Sequence, residues 1–206
     1  MDWTNERKWI QKQANVYTNQ GSNEPDRLIK KLDIQQESRF TALIDTIQDI
    51  NIENKEYGQI SVLDAGCASG AISNYIATKF PNVYVDALDI PQVINKIKGQ
   101  HPNVNLIPID LNKEFPKNKY TIIYATGVLE HIYNDWFFLK NCYNQLRKDG
   151  WLIITAPMGL DMFGQEDSLH IRIYPKNMLD GLLELAGFKI ERSWEEDERK
   201  RVVARK

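Results

Sequence analysis

The 206-residue chain carries 42% hydrophobic and 26% charged residues and a formal net charge of −2, the composition of a soluble globular protein with one sizeable core and an appendage. That charge argues against a general nucleic-acid footprint, and no apolar run approaches the ~20 residues that span a bilayer. Cys67 and Cys142 are too few for a disulfide framework, and the polar start Met1-Asp2-Trp3-Thr4-Asn5-Glu6-Arg7-Lys8 does not read as a secretory leader, so a reduced, cytoplasmic setting is expected.

Trp3, Ile10, Ala14 and Tyr17 fall on one face of a helical wheel, and Gly21-Ser22-Asn23-Glu24-Pro25 then breaks the chain. Phe40, Leu43, Ile44 and Ile47 repeat the spacing of an amphipathic helix. Residues 1–55 therefore read as a helical segment, either a cap over a ligand cleft closed by Tyr17 or Trp3, or helices packed on the body for stability. Residues 56–206 read as the main domain.

That domain opens on Ile60-Ser61-Val62-Leu63-Asp64-Ala65-Gly66-Cys67-Ala68-Ser69-Gly70, an apolar strand closed by an acid and two glycines, with a helix over Ala71 to Phe80. Strand, glycine turn and helix together can cradle a nucleotide: glycine lets backbone approach a ligand closely, and the helix start presents free N–H groups. The G-x-G-x-x-G spacing of dinucleotide-binding turns is absent. Asp64 beside the turn would repel phosphate and suits a cationic ligand.

Asn82 to Ile90 reads as the second strand, with two acids competing to hold ribose hydroxyls. Asp86 lies inside the strand; Asp89, about 20 residues past Gly70, stands at its end and is preferred. Pro91 to Lys98 reads as a short helix, Val104 to Ile107 as strand three and Tyr120 to Tyr124 as strand four. Asn134 or Asp135 can cap the next helix, with Trp136, Leu139, Tyr143 and Leu146 as its buried stripe. Lys148-Asp149-Gly150 makes a turn into strand five, Trp151 to Thr155, which stops at Pro157. The long irregular stretch from Met158 to His170 is placed to carry substrate contacts. A helix from Pro175 to Gly187 and two strands, Phe188 to Trp194 and Arg201 to Ala204, close the chain, and the run Glu195 to Arg201 reads as a solvated hairpin tip.

Asp64-x-Gly66-x-x-x-Gly70, followed in order by Asp89, Asp110-Leu111, and Ala125-Thr126-Gly127-Val128-Leu129-Glu130-His131, resembles the class I S-adenosylmethionine-dependent methyltransferases of small-molecule type. Ala68 replaces one glycine of the first motif, Thr121 stands for a usual Asp, and Lys148-Asp149-Gly150 for a usual Pro-Gly-Gly. The resemblance covers about residues 60–206. It implies an α/β fold with three α/β/α Rossmann-like layers and a mostly parallel seven-stranded sheet whose last strand is antiparallel, preceded here by the N-terminal helices. It also implies S-adenosyl-L-methionine as cofactor, bound by Asp64, Gly66, Cys67, Ala68, Gly70, Asp89, Ile90, Asp110, Leu111 and Ala125, with Tyr17 closing from the cap. Asp110 is the acid that meets the adenine amine in such enzymes.

The expected activity is O-methylation of a small polar metabolite or sugar-containing precursor, with no nucleic-acid or membrane partner. His131 and His170 flank the expected cleft and are candidate bases, while His101 reads as a surface residue of a connecting loop. No metal is expected. A metal-assisted alternative would use Glu130, His131 and His170, resembling a Glu-x-x-Glu-His metal motif whose first Glu is Gly127 here. A non-catalytic binding protein for the same cofactor is the other alternative, and a nicotinamide-dependent oxidoreductase is disfavoured by Asp64 and the missing third glycine.

Overall fold

The computed structural model describes residues 38–53, 58–158, 170–175 and 177–206. The expected first helix with Trp3 and Tyr17, and most of the stretch from Met158 to His170, lie outside them.

A helix α1 (Ser38–Glu53) precedes an alternating series: β1 (Ile60–Ala65), α2 (Ala71–Lys79), β2 (Val83–Asp89), α3 (Pro91–Ile94), β3 (Val104–Pro108) and β4 (Tyr120–Thr126). A single 3₁₀ turn (Leu129–His131), α4 (Asp135–Gln145), β5 (Leu146–Pro157), α5 (Met178–Ala186), β6 (Lys189–Glu196) and β7 (Arg199–Arg205) follow. The strands form one seven-stranded sheet in the order β3-β2-β1-β4-β5-β7-β6. β7 inserts antiparallel between β5 and β6, and the β1 to β5 neighbours all pair parallel. This is the Rossmann-like architecture that the alternation of strands and helices implies.

Side-chain alternation along each strand supplies two separate cores. Val62, Val85, Ile122 and Tyr124 face α1 and α2, where Leu43, Ile47, Ile72 and Ile76 are buried. Leu63, Leu88, Ile123 and Ala125 face α4 and α5, through Phe138, Leu139, Leu179 and Leu183. The described part of the N-terminal segment is thus a packing element, with the Phe40 ring 6.4 Å from that of Tyr124.

Local chemistry sets the boundaries. The Asn134 side chain accepts from Phe137 N at 2.9 Å and caps α4. Gly187, at φ 108°, ends α5 in the left-handed region. The expected turn at Lys148-Asp149-Gly150 lies inside β5 as an excursion: Tyr120 pairs with Leu146 but Ile122 with Trp151, so Arg147 to Gly150 loop out. Asp149 takes φ 60° there.

Two expectations fail in part. In the stripe expected for α4, Leu139 and Leu146 are buried, joined by Phe138 and Cys142, and Tyr143 packs edge-on against Phe188 at 5.2 Å, but Trp136 in the first turn is 44% exposed, its ring against Lys140 Nζ at 5.8 Å rather than the core. The charged run is also not simply solvated. Only its turn, Asp197-Glu198 with φ 51° and 57°, behaves as a surface hairpin tip. Lys200 and Arg201 are buried at 5% and 2% exposure, since strand alternation sends Lys200 to Asp180 on α5 at 3.0 Å and Arg201 to the opposite face.

Candidate cofactor and active site

The carboxyl ends of β1, β2 and β4 surround an open cleft of about 160 Å³, where ligands gather in open α/β sheets. One wall is the glycine turn. Gly66 N and Cys67 N both donate to Leu88 O at 2.8 Å, which pins the turn to the end of β2, and Gly70 N donates to Cys67 O at 2.8 Å. Gly66 sits at φ 80°, and a Cβ there would lie 2.4 Å from Val128 Cγ2, so glycine is required both by the backbone and by the space. Ala68 also adopts a left-handed φ of 48°, a cost of ~1 kcal/mol accepted where the family's glycine is missing.

Asp89 faces this turn. Its Oδ2 accepts Ala68 N at 2.9 Å and its Oδ1 accepts Ile90 N at 2.8 Å. Each carboxylate oxygen keeps a lone pair for a ligand hydroxyl. Burial pushes its pKa up to about 6 against the pull of the two N–H donors. The competing acid, Asp86, is spent on structure: it accepts from Tyr120 Oη at 2.7 Å, Asn105 Nδ2 at 2.9 Å and Asn118 Nδ2 at 3.0 Å, away from the cleft. Asp110 lines the far side of the cleft while forming a turn with Asn112 N at 3.0 Å and an ion pair with Lys113 at 3.0 Å.

Of the residues expected to touch cofactor, Gly66, Ala68, Asp89, Ile90, Asp110 and Leu111 line the cleft, together with His131. Asp64, Cys67, Gly70 and Ala125 do not. Asp64 is 3% exposed and Ala125 fully buried, while Gly70 caps the start of α2. The Asp64 carboxylate instead accepts from Ser73 Oγ at 2.5 Å and, deep in the sheet, has its pKa raised to about 7. Burial and the neighbouring Asp64 and Asp89 charges also push the Cys67 thiol well up, which leaves it inert. Tyr17 lies outside the described residues.

Sequence reasoning missed Ile109, Asn112, Thr126, Gly127 and Val128 as cleft residues. Gly127 carried a readable signal, a glycine one step past a strand end, and its φ of 67° makes a second left-handed turn opposite Gly66.

Beyond Gly127 the 3₁₀ turn brings Glu130, His131 and His170 together. One ligand atom from each lies within 4.8 Å of the others. The His131 and His170 rings are 5.0 Å apart, and His170 Nε2 is 3.8 Å from Glu130 Oε1. Ile171 N donates to Glu130 O at 3.0 Å and so holds His170 beside the turn. Glu130 is fully buried, its Oε1 3.4 Å from Arg199 Nη1 at the hairpin tip, and desolvation raises its pKa to about 7 despite that guanidinium.

The family model for a methyltransferase domain matches residues 34–193 of this fold. The chain belongs to that family. The methyltransferase domain is 33% identical over 110 residues to malonyl-[acyl-carrier protein] O-methyltransferase 2 of Ilyobacter polytropus, covering 50% of this chain and 41% of that protein. It is 32% identical over 103 residues to caffeic acid 3-O-methyltransferase of Prunus dulcis, covering 47% and 26%. The chain thus spans less than half the length of these relatives. Among solved structures, the 1,6-didemethyltoxoflavin-N1-methyltransferase of Burkholderia thailandensis, with bound S-adenosylhomocysteine, superposes with a TM-score of 0.61 at 18% identity over 84% of this chain and 81% of that one. A S-adenosylmethionine-dependent methyltransferase of Mesorhizobium loti superposes with a TM-score of 0.60 at 16% identity, covering 73% and 93%. These structures share the fold. S-adenosylmethionine is the cofactor of this family, and the cleft fits it: a turn with no room for a Cβ at Gly66, and a carboxylate at Asp89 with acceptor capacity left over.

Proposed function

We propose that the domain methylates a hydroxyl oxygen of a small polar metabolite or sugar-containing precursor, with His131 as the base. The observation that carries the reading is the placement of His131 on the wall of the same cleft as Gly66, Asp89 and Asp110, with His170 behind it. The O-methyltransferase names of both curated relatives support an oxygen acceptor. One of those relatives is named for an acyl-carrier-protein substrate, so an acceptor presented on a carrier fits the same reading.

When bound, S-adenosylmethionine supplies a methyl group on a positively charged sulfur that leaves neutral. Asp89 accepts the ribose hydroxyls with the lone pairs its two backbone donors leave free. Asp110 and Leu111 hold the adenine end. Gly66 and Gly127 keep the floor between them low, so the reacting end can sit close to backbone. His131 takes the acceptor's hydroxyl proton, and alignment plus exclusion of water provides most of the rate.

The second reading is metal assistance, favoured by the 4.8 Å cluster of Glu130, His131 and His170. One carboxylate and two imidazoles suit a divalent transition metal with an open position for an acceptor oxygen. Turnover of candidate hydroxyl acceptors with and without a chelator decides between base and metal. Failure of any acceptor to be methylated while S-adenosylmethionine binds leaves a non-catalytic binding protein.

A further inference from the structure

Residues 170–175 form neither helix nor strand, and hydrogen bonds to other elements tie them down instead. They cross the 3₁₀ turn that carries His131 and the start of α4. Ile171 N donates to Glu130 O at 3.0 Å, and Tyr174 N donates to Pro157 O at 2.8 Å, at the end of β5. Between these two anchors stands Arg172. Its Nη2 donates to Tyr133 O at 2.8 Å, while its Nη1 pairs with Asp135 Oδ2 at 2.5 Å. The Tyr174 hydroxyl meets the same Asp135 Oδ2 at 3.1 Å and lies 3.4 Å from Leu129 O. Leu129 and Tyr133 flank His131 evenly along the chain, so this strap grips the turn on both sides of that imidazole.

A single 3₁₀ turn has poor hydrogen-bond geometry and depends on its neighbours to hold it in place. From the opposite side, Asn112 Oδ1 accepts Tyr133 N at 2.8 Å, and Asn112 lines the cofactor cleft. Tyr133 is therefore held through its N–H by the cleft wall and through its C=O by Arg172. The His131 and His170 rings stand 5.0 Å apart and tilted by 59°, a relation set by where the strap meets the turn. Stability is a weak account of Arg172. Its side chain is 31% exposed, and partly exposed ion pairs contribute little. Direction is the stronger account: a rigid planar fork binds a carbonyl and a carboxylate at the same time, which a lysine ammonium on its flexible stem does far less well.

We infer that Arg172 is a positioning residue: by bridging Tyr133 O and the Asp135 carboxylate it sets where His170 stands against His131. Its effect on turnover rests on the proposal that His131 takes the acceptor's proton. Its effect on ring geometry rests on the strap alone. A base moved by about 1 Å loses much of the advantage of alignment, although the base itself is intact.

The test uses the full chain bound to S-adenosylhomocysteine and compares wild type with Arg172→Gln and Arg172→Lys. The first readout is the nuclear Overhauser cross-peak between the His131 and His170 ring protons, assigned by its loss in His170→Ala. The second is kcat with a methylated acceptor, beside S-adenosylhomocysteine affinity and the melting temperature. Positioning predicts a cross-peak weakened several-fold in both variants and a kcat lowered by about 10², with cofactor affinity held at the wild-type value. Arg172→Lys is the decisive variant, because it keeps the charge facing Asp135, and with it most of the stability, but not the fork. A cross-peak absent from the wild type, or unchanged in Arg172→Gln, overturns the inference. So does an Arg172→Lys protein with the wild-type cross-peak and rate, which would leave a charge pair that only stabilises the fold. A wild-type protein that methylates no acceptor, while its cross-peak still responds to both variants, is a failure of the methyl-transfer reading and leaves the positioning supported.

Discussion

The Asp64 carboxylate accepts a 2.5 Å hydrogen bond from the Ser73 hydroxyl, which ties the end of β1 to α2 beneath the glycine turn. The acid that begins the motif therefore holds the turn. Its pKa of about 7, against 3.8 unfolded, fixes the sign of a pH effect. The folded protein keeps this proton to higher pH than the unfolded chain, so stability falls as pH rises from about 4 to about 7. Asp89, at about 6, and Glu130, at about 7 against 4.5, act in the same direction. Asp64→Asn keeps a partner for Ser73 and removes one buried charge. Denaturant unfolding at low and neutral pH is expected to show a shallower decline for the variant, by on the order of 1–4 kcal/mol. Cofactor affinity is expected to change little, and a large loss would mean that Asp64 meets the ligand directly.

Asp89 and Asp86 separate binding from stability. Asp89→Ala is expected to weaken S-adenosylmethionine binding by roughly 1.5–3 kcal/mol for each charged hydrogen bond lost. Hydroxyl donors favour the ionised carboxylate, so wild-type affinity should rise as pH passes upward through about 6, and Asp89→Asn should lose that rise. Asp86→Ala instead leaves Tyr120, Asn105 and Asn118 without their shared acceptor. It should lower the melting temperature with affinity intact. Calorimetry and thermal melts on both variants check the pair, and equal loss of affinity from each would contradict the assignment.

Gly66→Val is expected to abolish cofactor binding. The Cβ alone lands 2.4 Å from Val128 Cγ2, and φ 80° is strained for any L side chain. Val128→Ala in the same protein relieves the clash but not the strain, so binding should return only in part. Circular dichroism confirms that both variants fold, and full binding by Gly66→Val alone would place the ligand away from this turn.

The strands along the chain and the glycine turn were legible because they depend on local signals, apolar runs and glycine positions that act over a few residues. That Asp89 lines the cleft and Asp86 does not was readable from the place of Asp89 at a strand end. Lys200 and Arg201 were misread because a charge run looks solvated until its partners are known, and Asp180 and Glu196 reach them only through α5 and β6. Asp64 was given to the ligand for a similar reason: nothing in the sequence shows that Ser73, one helical turn into α2, takes its carboxylate. Glu130, His131 and His170 were grouped from the sequence, while the contact that joins them, the Ile171 N to Glu130 O bond closing a loop of about 40 residues, needed the fold.

His131 and its neighbours give the prediction that decides the chemistry. If His131 is the base for an oxygen acceptor, His131→Ala should lower turnover by about 10²–10⁴. Cofactor affinity should hold, because the imidazole serves the acceptor. The rate should rise with pH as the imidazole loses its proton, and the variant should lose that limb. Glu130→Gln keeps the shape of the side chain but not its charge beside His170 and Arg199, 3.8 and 3.4 Å away. With His131 as base it should move the pH limb and leave much of the rate. If a metal does the work, a chelator should abolish turnover, an added divalent transition metal should restore it, and Glu130→Gln and His170→Ala should fail as badly as His131→Ala. Chelator-insensitive turnover with a normal rate in His131→Ala would remove both mechanisms, leaving alignment of acceptor and methyl as the whole of the catalysis.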